Sequence, residues 1–119
     1  MSIFADILAE AFSEFPGAKG AVFTDREGEA VDSYSEMGNT NIRLFGAHWG
    51  IVFYQCYSAS KKTGAGEVDQ LVMRFSAATV VIQRVTEDYF VVVALADSSH
   101  LGRALGKVSR VAAKLREQM

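Results

Sequence analysis

The sequence predicts an α/β (α+β) fold, a three-layer sandwich in which a five-stranded antiparallel sheet carries helices on both faces. Apolar residues recur at helical spacing in three segments, and five other segments alternate or are rich in β-branched residues, in the order α-β-β-α-β-β-β-α. Short connections between the last three strands favour antiparallel pairing of neighbours. Because 50% of the 119 residues are apolar, we expect residues 1–119 to form a single domain with its own core.

The first third of the chain predicts a helix and a hairpin. Residues 3–15 follow a helical pattern, with Ser2 as N-cap and Pro16-Gly17 as the end of the helix. The apolar side of this helix carries Phe4, Leu8, Ala11, Phe12 and Phe15. The runs 18–24 and 30–34 flank a polar turn that contains a glycine, which predicts two strands joined by a tight reversal.

A second, longer helix is predicted over residues 41–60. Two features mark its C-terminal end: the following lysines Lys61 and Lys62, whose charge suits the negative end of the helix dipole, and Gly64, which terminates the helix. Three strands are predicted over residues 68–76, 79–85 and 89–96. The last of them is an unbroken apolar run, which is typical of a central strand. Residues 97–99 offer N-caps for a final helix that extends to about residue 118.

The long second helix has two sides that lack charge. At 100° per residue, one side carries Ile42, Phe45, Trp49, Val52, Phe53 and Cys56, which we expect to lie against the sheet. The opposite side carries Leu44, Ala47, His48, Ile51, Tyr54, Gln55 and Ser58. An exposed semi-apolar surface usually marks a protein interface, and the alternative is that the domain's own elements cover it. Gly46 and Gly50 lie on a flank between the sides, and they predict a close packing contact because a glycine inside a helix costs about 1 kcal/mol.

Short motifs along the chain carry a resemblance to a known family. They are Phe15-Pro16-Gly17-Ala18 with Gly20-Ala21-Val22-Phe23, the turn Asp25-Arg26-Glu27-Gly28, Gly66-Glu67 before the third strand, the strand residues 80–82 and 90–95, and Ser99-His100-Leu101-Gly102 before the last helix. In this order and spacing they resemble the roadblock/dynein-light-chain family over nearly the whole chain. The chain is most similar to the MglB-like group of bacterial gliding-motility regulators, which stimulate a Ras-like GTPase.

The resemblance implies a homodimer in which the third strands pair edge to edge and the two long helices lie side by side on one ten-stranded sheet. The dimer interface that we expect includes Leu71, Met73, Phe75, Leu44 and Ile51. The surface expected to bind a small Ras-like GTPase includes Ala47, His48, Ile51, Tyr54, Gln55 and Ser58. The expected function is therefore a homodimeric protein-binding module that regulates or scaffolds such a GTPase in bacterial polarity, motility or signalling.

The sequence predicts neither catalysis nor a bound cofactor or metal. Cys56 lies on the apolar side of the long helix, and His48 and His100 are too few and too scattered to form a metal site with it. We find no segment with the spacing of a phosphate-binding loop. Arg43 is a candidate arginine finger, but an arginine at a helix start is more often solvated, and the family that the chain resembles has no fixed catalytic motif.

Charge is unevenly distributed, although the net charge is only −2. Residues 1–40 are rich in acids, whereas the last helix carries a basic stripe, Arg103, Lys107, Arg110 and Lys114. That stripe is either a solvated face or a docking site for an acidic partner, and the acidic overall balance disfavours nucleic acid. The N-terminal segment has no basic region, and the longest charge-free stretch contains His48 and Gln55. We therefore expect a cytoplasmic protein without a signal peptide or a membrane span.

The alternative function is a small-molecule sensor of the PAS or GAF type, built on a similar antiparallel sheet. Such domains enclose a pocket with convergent polar groups. Here the corresponding positions carry Phe, Val and Leu, which favours the protein-binding module.

Overall fold

The computed structural model describes residues 2–36 and 38–119. Its elements are α1 (Ile3–Phe12), β1 (Ala18–Asp25), β2 (Ala30–Ser35), α2 (Asn39–Lys62), β3 (Gln70–Arg74), β4 (Thr79–Arg84), β5 (Tyr89–Leu95) and α3 (Leu101–Glu117). The predicted order α-β-β-α-β-β-β-α is confirmed. Apart from the end of α1 and the start of α3, the predicted element boundaries hold to within two residues, which is the usual uncertainty at the ends of helices and strands.

All five strands form one antiparallel sheet in the order β2-β1-β5-β4-β3. The apolar strand β5 lies at its centre, as predicted from its unbroken apolar run, while β2 and β3 are the edges. Helices α1 and α3 pack on one face of the sheet, and α2 packs on the other. The predicted three-layer sandwich with helices on both faces is confirmed.

The core between the sheet and the α1/α3 pair is built from the apolar stripes of those helices. Leu8 and Phe12 of α1 and Val108 and Leu115 of α3 are completely buried. Burial of each such side chain contributes roughly 1.5–3 kcal/mol relative to exposure. The predicted N-cap of α1 is present, since the Ser2 Oγ accepts a hydrogen bond from the Ala5 N–H at 3.1 Å.

Two local predictions were wrong in detail. Helix α1 ends at Phe12, three residues before the predicted end, and Phe15, which precedes a proline, is disfavoured from helical backbone angles. Phe15 is nevertheless buried, since a turn returns its ring to Phe12 with centroids 6.4 Å apart. None of residues 97–99 caps α3. His100 is the N-cap position, without a side-chain hydrogen bond, and the Asp97 carboxylate instead accepts from the Ser99 N–H in the preceding turn.

Candidate protein-interaction site

Helix α2 lies over one half of its face of the sheet. It packs mainly on β1 and β2, with a smaller contact to β5. Ile42 and Phe53 are buried beneath it, as predicted. Strands β3 and β4 contact α2 much less than β1 and β2 do, so this half of the sheet face lacks a helical cover from the described part of the chain.

Two glycines determine how closely α2 approaches the sheet. A Cβ atom on Gly46 would lie 2.5 Å from the Val22 Cγ1 atom, and one on Gly50 would lie 3.1 Å from the ring of Phe90. The close packing that the glycines predict is therefore a contact with the chain's own sheet. The sheet-facing direction of α2 is consequently rotated toward these glycines, which leaves Val52 and Cys56 only half-buried.

The flank of α2 that is turned toward β3 forms an apolar surface together with that strand. Leu71 and Met73 are half-buried on the α2 side of the sheet, whereas Val72 between them packs on the opposite core. The alternation predicted for the third strand is thus present. Five apolar side chains form this surface, which we call the β3 shelf: Phe45, Trp49, Leu71, Met73 and Phe75.

Phe75 is the most exposed member of the β3 shelf. Its side chain is 51% exposed, and its ring centroid lies 5.3 Å from that of Trp49. The sequence predicts that Phe45 and Trp49 of α2 lie against the sheet as core residues, and it did not identify them as part of an interaction surface. The helical angle alone does not distinguish the centre of a buried face from its margin.

The backbone of β3 is also open on one side. Within the described residues, β3 pairs only with β4, so its outer N–H and C=O groups have no strand beside them. An edge of this kind is a template for pairing with a strand from another chain. The shelf and the open edge are contiguous, because Leu71 and Met73 belong to that strand.

A second apolar surface lies on the side of α2 that faces away from the sheet. Leu44 and Ile51, two turns apart, are 54% and 55% exposed. His48 and Gln55 are exposed on the same side. We call these four residues the α2 ridge. The predicted dimer residues therefore fall on two surfaces: Leu71, Met73 and Phe75 on the shelf, and Leu44 and Ile51 on the ridge.

The other predicted partner-binding residues lie on the flank of α2 that faces the β1–β2 turn. Ala47 is half-buried, and a Cβ atom on Gly28 would lie only 3.3 Å from its Cα. The Tyr54 hydroxyl accepts a hydrogen bond of 2.9 Å from Arg26, whose guanidinium lies 5.0 Å from the tyrosine ring. Ser58 is half-buried near the end of the helix.

Arg26 contacts both α2 and the β4–β5 turn. Besides Tyr54, it binds the Asp88 carboxylate at 2.9 Å, so α2 and the β1–β2 and β4–β5 turns are joined by one side chain. The hydrogen bonds to Asp88 and Tyr54 raise the pKa of Arg26 above its ordinary value. Tyr54 therefore acts here as a packing contact within the chain, although 41% of it is exposed.

The residues considered for chemistry lie apart from one another. Cys56 is half-buried on α2, His48 is on the ridge, and His100 lies beside Phe15 on the opposite face with ring centroids 6.4 Å apart. The Arg43 guanidinium reaches the Ala30 carbonyl of β2 at 3.5 Å. Across residues 2–36 and 38–119 we find no cluster of metal-binding side chains, and none of the described helices is long and apolar enough to cross a membrane.

Sequence comparison alone does not place the chain: neither a protein-family model nor a curated protein sequence matches it. Comparison of structures does. A Roadblock/LC7 domain from Streptomyces avermitilis superposes with a TM-score of 0.85 at 12% identity, covering 94% of this chain and 93% of that one. A structure described as MglB with tetrameric arrangement gives a TM-score of 0.82 at 16% identity, over 94% of this chain and 84% of that one.

A third match is the gliding protein MglB from Thermus thermophilus, with a TM-score of 0.80 at 14% identity over 98% of this chain and 91% of that one. At identities this low, the TM-scores establish a shared fold and nothing more, because fold alone does not establish function. The resemblance to roadblock proteins that the sequence motifs indicated is confirmed at this level: the chain has the fold of the Roadblock/LC7 domains and of MglB.

Proposed function

We propose that this chain is a homodimeric protein-binding module whose third strands pair across the dimer. The observation that carries the proposal is the β3 shelf beside an open sheet edge. A second copy that pairs its own β3 antiparallel to the first would extend the sheet and place the β3 shelves of the two copies side by side. The shelf residues of both copies, including the exposed ring of Phe75, would then leave water, and exposed apolar patches of this kind usually serve such contacts.

The α2 ridge is the surface that we propose for a different protein. In the dimer described above, the ridge would remain outside, because Leu44 and Ile51 point away from the sheet while the shelf lies at its side. We propose a small Ras-like GTPase as the partner, which this module regulates or scaffolds. The support is the resemblance of the sequence to gliding-motility GTPase regulators, together with structural neighbours that are described as a gliding protein and as a tetrameric MglB.

Binding, without catalysis, is the function we propose for the ridge and the shelf. The sensor alternative would require a ligand cavity between α2 and the sheet. That space is filled, since Gly46 brings the helix backbone against Val22, and the ring of Phe53 packs on that of Phe90 with centroids 4.9 Å apart. The geometry therefore favours an outward-facing binding surface.

Two substitutions on exposed side chains test the two surfaces separately. Phe75→Asp places a charge on the shelf, so we expect monomers in sedimentation velocity where the wild-type chain forms dimers. Ile51→Glu places a charge on the ridge, so we expect an intact dimer that no longer captures GTP-loaded Ras-like GTPases purified from the source organism. Val31→Glu is a matched control, because Val31 is an apolar side chain that is 39% exposed on the opposite edge strand β2.

Each outcome bears on one part of the proposal. A wild-type chain that sediments as a monomer, or a Phe75→Asp variant that dimerises normally, contradicts the dimer. Normal GTPase capture by Ile51→Glu contradicts the ridge assignment. Failure of the wild-type chain to bind any of these GTPases contradicts the choice of partner. Circular dichroism melts of the three variants check that each substitution leaves the fold in place.

A further inference from the structure

The face of the sheet opposite α2 carries a charged surface that the proposed function does not use. Helices α1 and α3 lie side by side there. The last helix presents a basic stripe to solvent, in which Arg103, Arg110 and Lys114 are exposed and Lys107 is half-buried. At 100° per residue these four positions fall within about 60° of one another.

The cations of the basic stripe make no direct ion pairs within the described chain. Arg103 and Lys107 instead lie over the ring of Phe15, at 5.5 Å and 5.7 Å from its centroid. These contacts hold the two side chains against the surface and leave their charge accessible.

An acidic stripe runs beside the basic one, on α1 and the turn that follows it. Asp6, Glu10 and Glu14 are exposed at four-residue spacing, and none of them forms an ion pair with a described residue. A groove of about 140 Å³ separates the two stripes. Its walls are Glu10 and Ala11 on one side and Lys107, Arg110, Val111 and Lys114 on the other.

This pairing of stripes is self-complementary. A two-fold axis along the groove turns a second copy so that its acidic α1 lies over the basic α3 of the first, and the reverse contact follows by symmetry. A flat anionic membrane or a nucleic acid would meet the acidic stripe as well as the basic one, which opposes binding. We propose that the α1/α3 face docks against the same face of a second copy of this chain through these two stripes.

The proposed contact is independent of the dimer through β3. The shelf and the ridge lie on the α2 side of the sheet, whereas the stripes lie on the other side, so both contacts can form in one assembly. Since the stripe residues are mostly exposed, the association should be salt-dependent. The screening length falls from about 30 Å at 0.01 M ionic strength to about 3 Å at 1 M.

A charge-swap experiment tests this contact directly. One variant carries Arg110→Glu and Lys114→Glu, which cancels the net positive charge of the basic stripe, and the other carries Glu10→Lys and Glu14→Lys, which makes the acidic stripe net positive. At about 0.02 M salt, where screening is weak, we expect wild type to form a larger species than at about 1 M, and each variant alone to associate at least about tenfold more weakly. An equimolar mixture of the two variants should restore the larger species, because the unchanged acidic stripe of one then faces the unchanged basic stripe of the other, and the exchanged residues face each other with opposite charge.

The matched control is Lys61→Glu with Lys62→Glu at the end of α2, which changes the net charge by the same amount but lies away from both stripes. It should assemble as wild type does. Lys114 lies in the last turn of α3, where a positive charge interacts favourably with the helix dipole. A glutamate there could therefore destabilise the helix. The neutral variant Arg110→Gln with Lys114→Gln is measured in parallel, and a thermal melt verifies that it folds.

Three results would overturn the proposal. The first is wild type that sediments identically at low and high salt. The second is a mixture of the two swapped variants that fails to associate. The third is binding of wild type to phosphatidylserine vesicles that is lost with Arg110→Glu and Lys114→Glu, since the basic stripe would then serve a membrane.

Discussion

Replacement of Gly46 by alanine tests the proposed reason for the position of α2. The added Cβ would lie 2.5, 3.2 and 3.3 Å from three atoms of the Val22 side chain. Carbon atoms pack favourably at about 3.5–4.0 Å, so the helix would have to lift by about 1 Å. Val22 has little freedom to yield, because it is completely buried on β1, which is paired on both sides by β2 and β5.

The two energetic effects of Gly46→Ala oppose each other. Overpacking costs about 1–3 kcal/mol, and a contact this short belongs near the upper end. Alanine in a helix interior gains about 1 kcal/mol over glycine. We therefore expect a net loss of about 2 kcal/mol in the free energy of unfolding, measured by urea denaturation with a fluorescence readout from Trp49.

Gly106→Ala in α3 is the matched control. A Cβ there would meet only the Arg110 guanidinium, at 3.3 Å, and that flexible side chain can move away. We expect this variant to gain up to about 1 kcal/mol. If Gly46→Ala is as stable as wild type or more stable, the close approach of α2 to the sheet does not require glycine, and other contacts must set the position of the helix.

Two further substitutions test local features. Ser2→Ala removes the side-chain acceptor for the Ala5 N–H, and we expect a loss of about 1 kcal/mol in urea denaturation; an unchanged unfolding midpoint would show that this cap does not stabilise the fold. Hydrogen bonds from Ser99 hold the pKa of Asp97 below its ordinary value. This group therefore stabilises the fold above its unfolded pKa, and the effect is lost as pH falls through its folded pKa. Wild type should exceed Asp97→Asn in stability at pH 7, and the difference should shrink as the pH falls through the folded pKa of Asp97; a difference that grows on acidification would contradict this.

The order and type of the elements could be predicted because each depends on signals that lie close together in the chain. The central strand β5 is recognisable from its unbroken apolar run, and α1 from its stripe and its Ser2 cap. The predicted positions of the end of α1 and the start of α3 were less accurate, because several residues near each boundary can accept or donate the same hydrogen bonds. Asp97 accepts from Ser99 before the helix instead of capping it.

The candidate site could be predicted only in part. Sequence periodicity separated Ile51 from the buried side of α2, and it placed Leu71, Met73 and Phe75 on one side of β3, as the structure has them. Periodicity did not show that Ala47 and Tyr54 face the β1–β2 turn. Ala47 lies against Gly28 and Tyr54 against Arg26, and both contacts join residues far apart in sequence.

The long helix α2 illustrates the difference between local and tertiary information. Its apolar residues recur at helical spacing, which is enough to show that it has two uncharged sides and that one of them is buried. Where the helix lies across the sheet does not follow from that spacing. Gly46 and Gly50 allow the helix to approach β1 and β5 closely, although it packs mainly on β1 and β2, and this position leaves Trp49 beside Phe75 at the end of the open strand β3. Helical periodicity specifies an angle around an axis, whereas the displacement of that axis depends on contacts between distant segments.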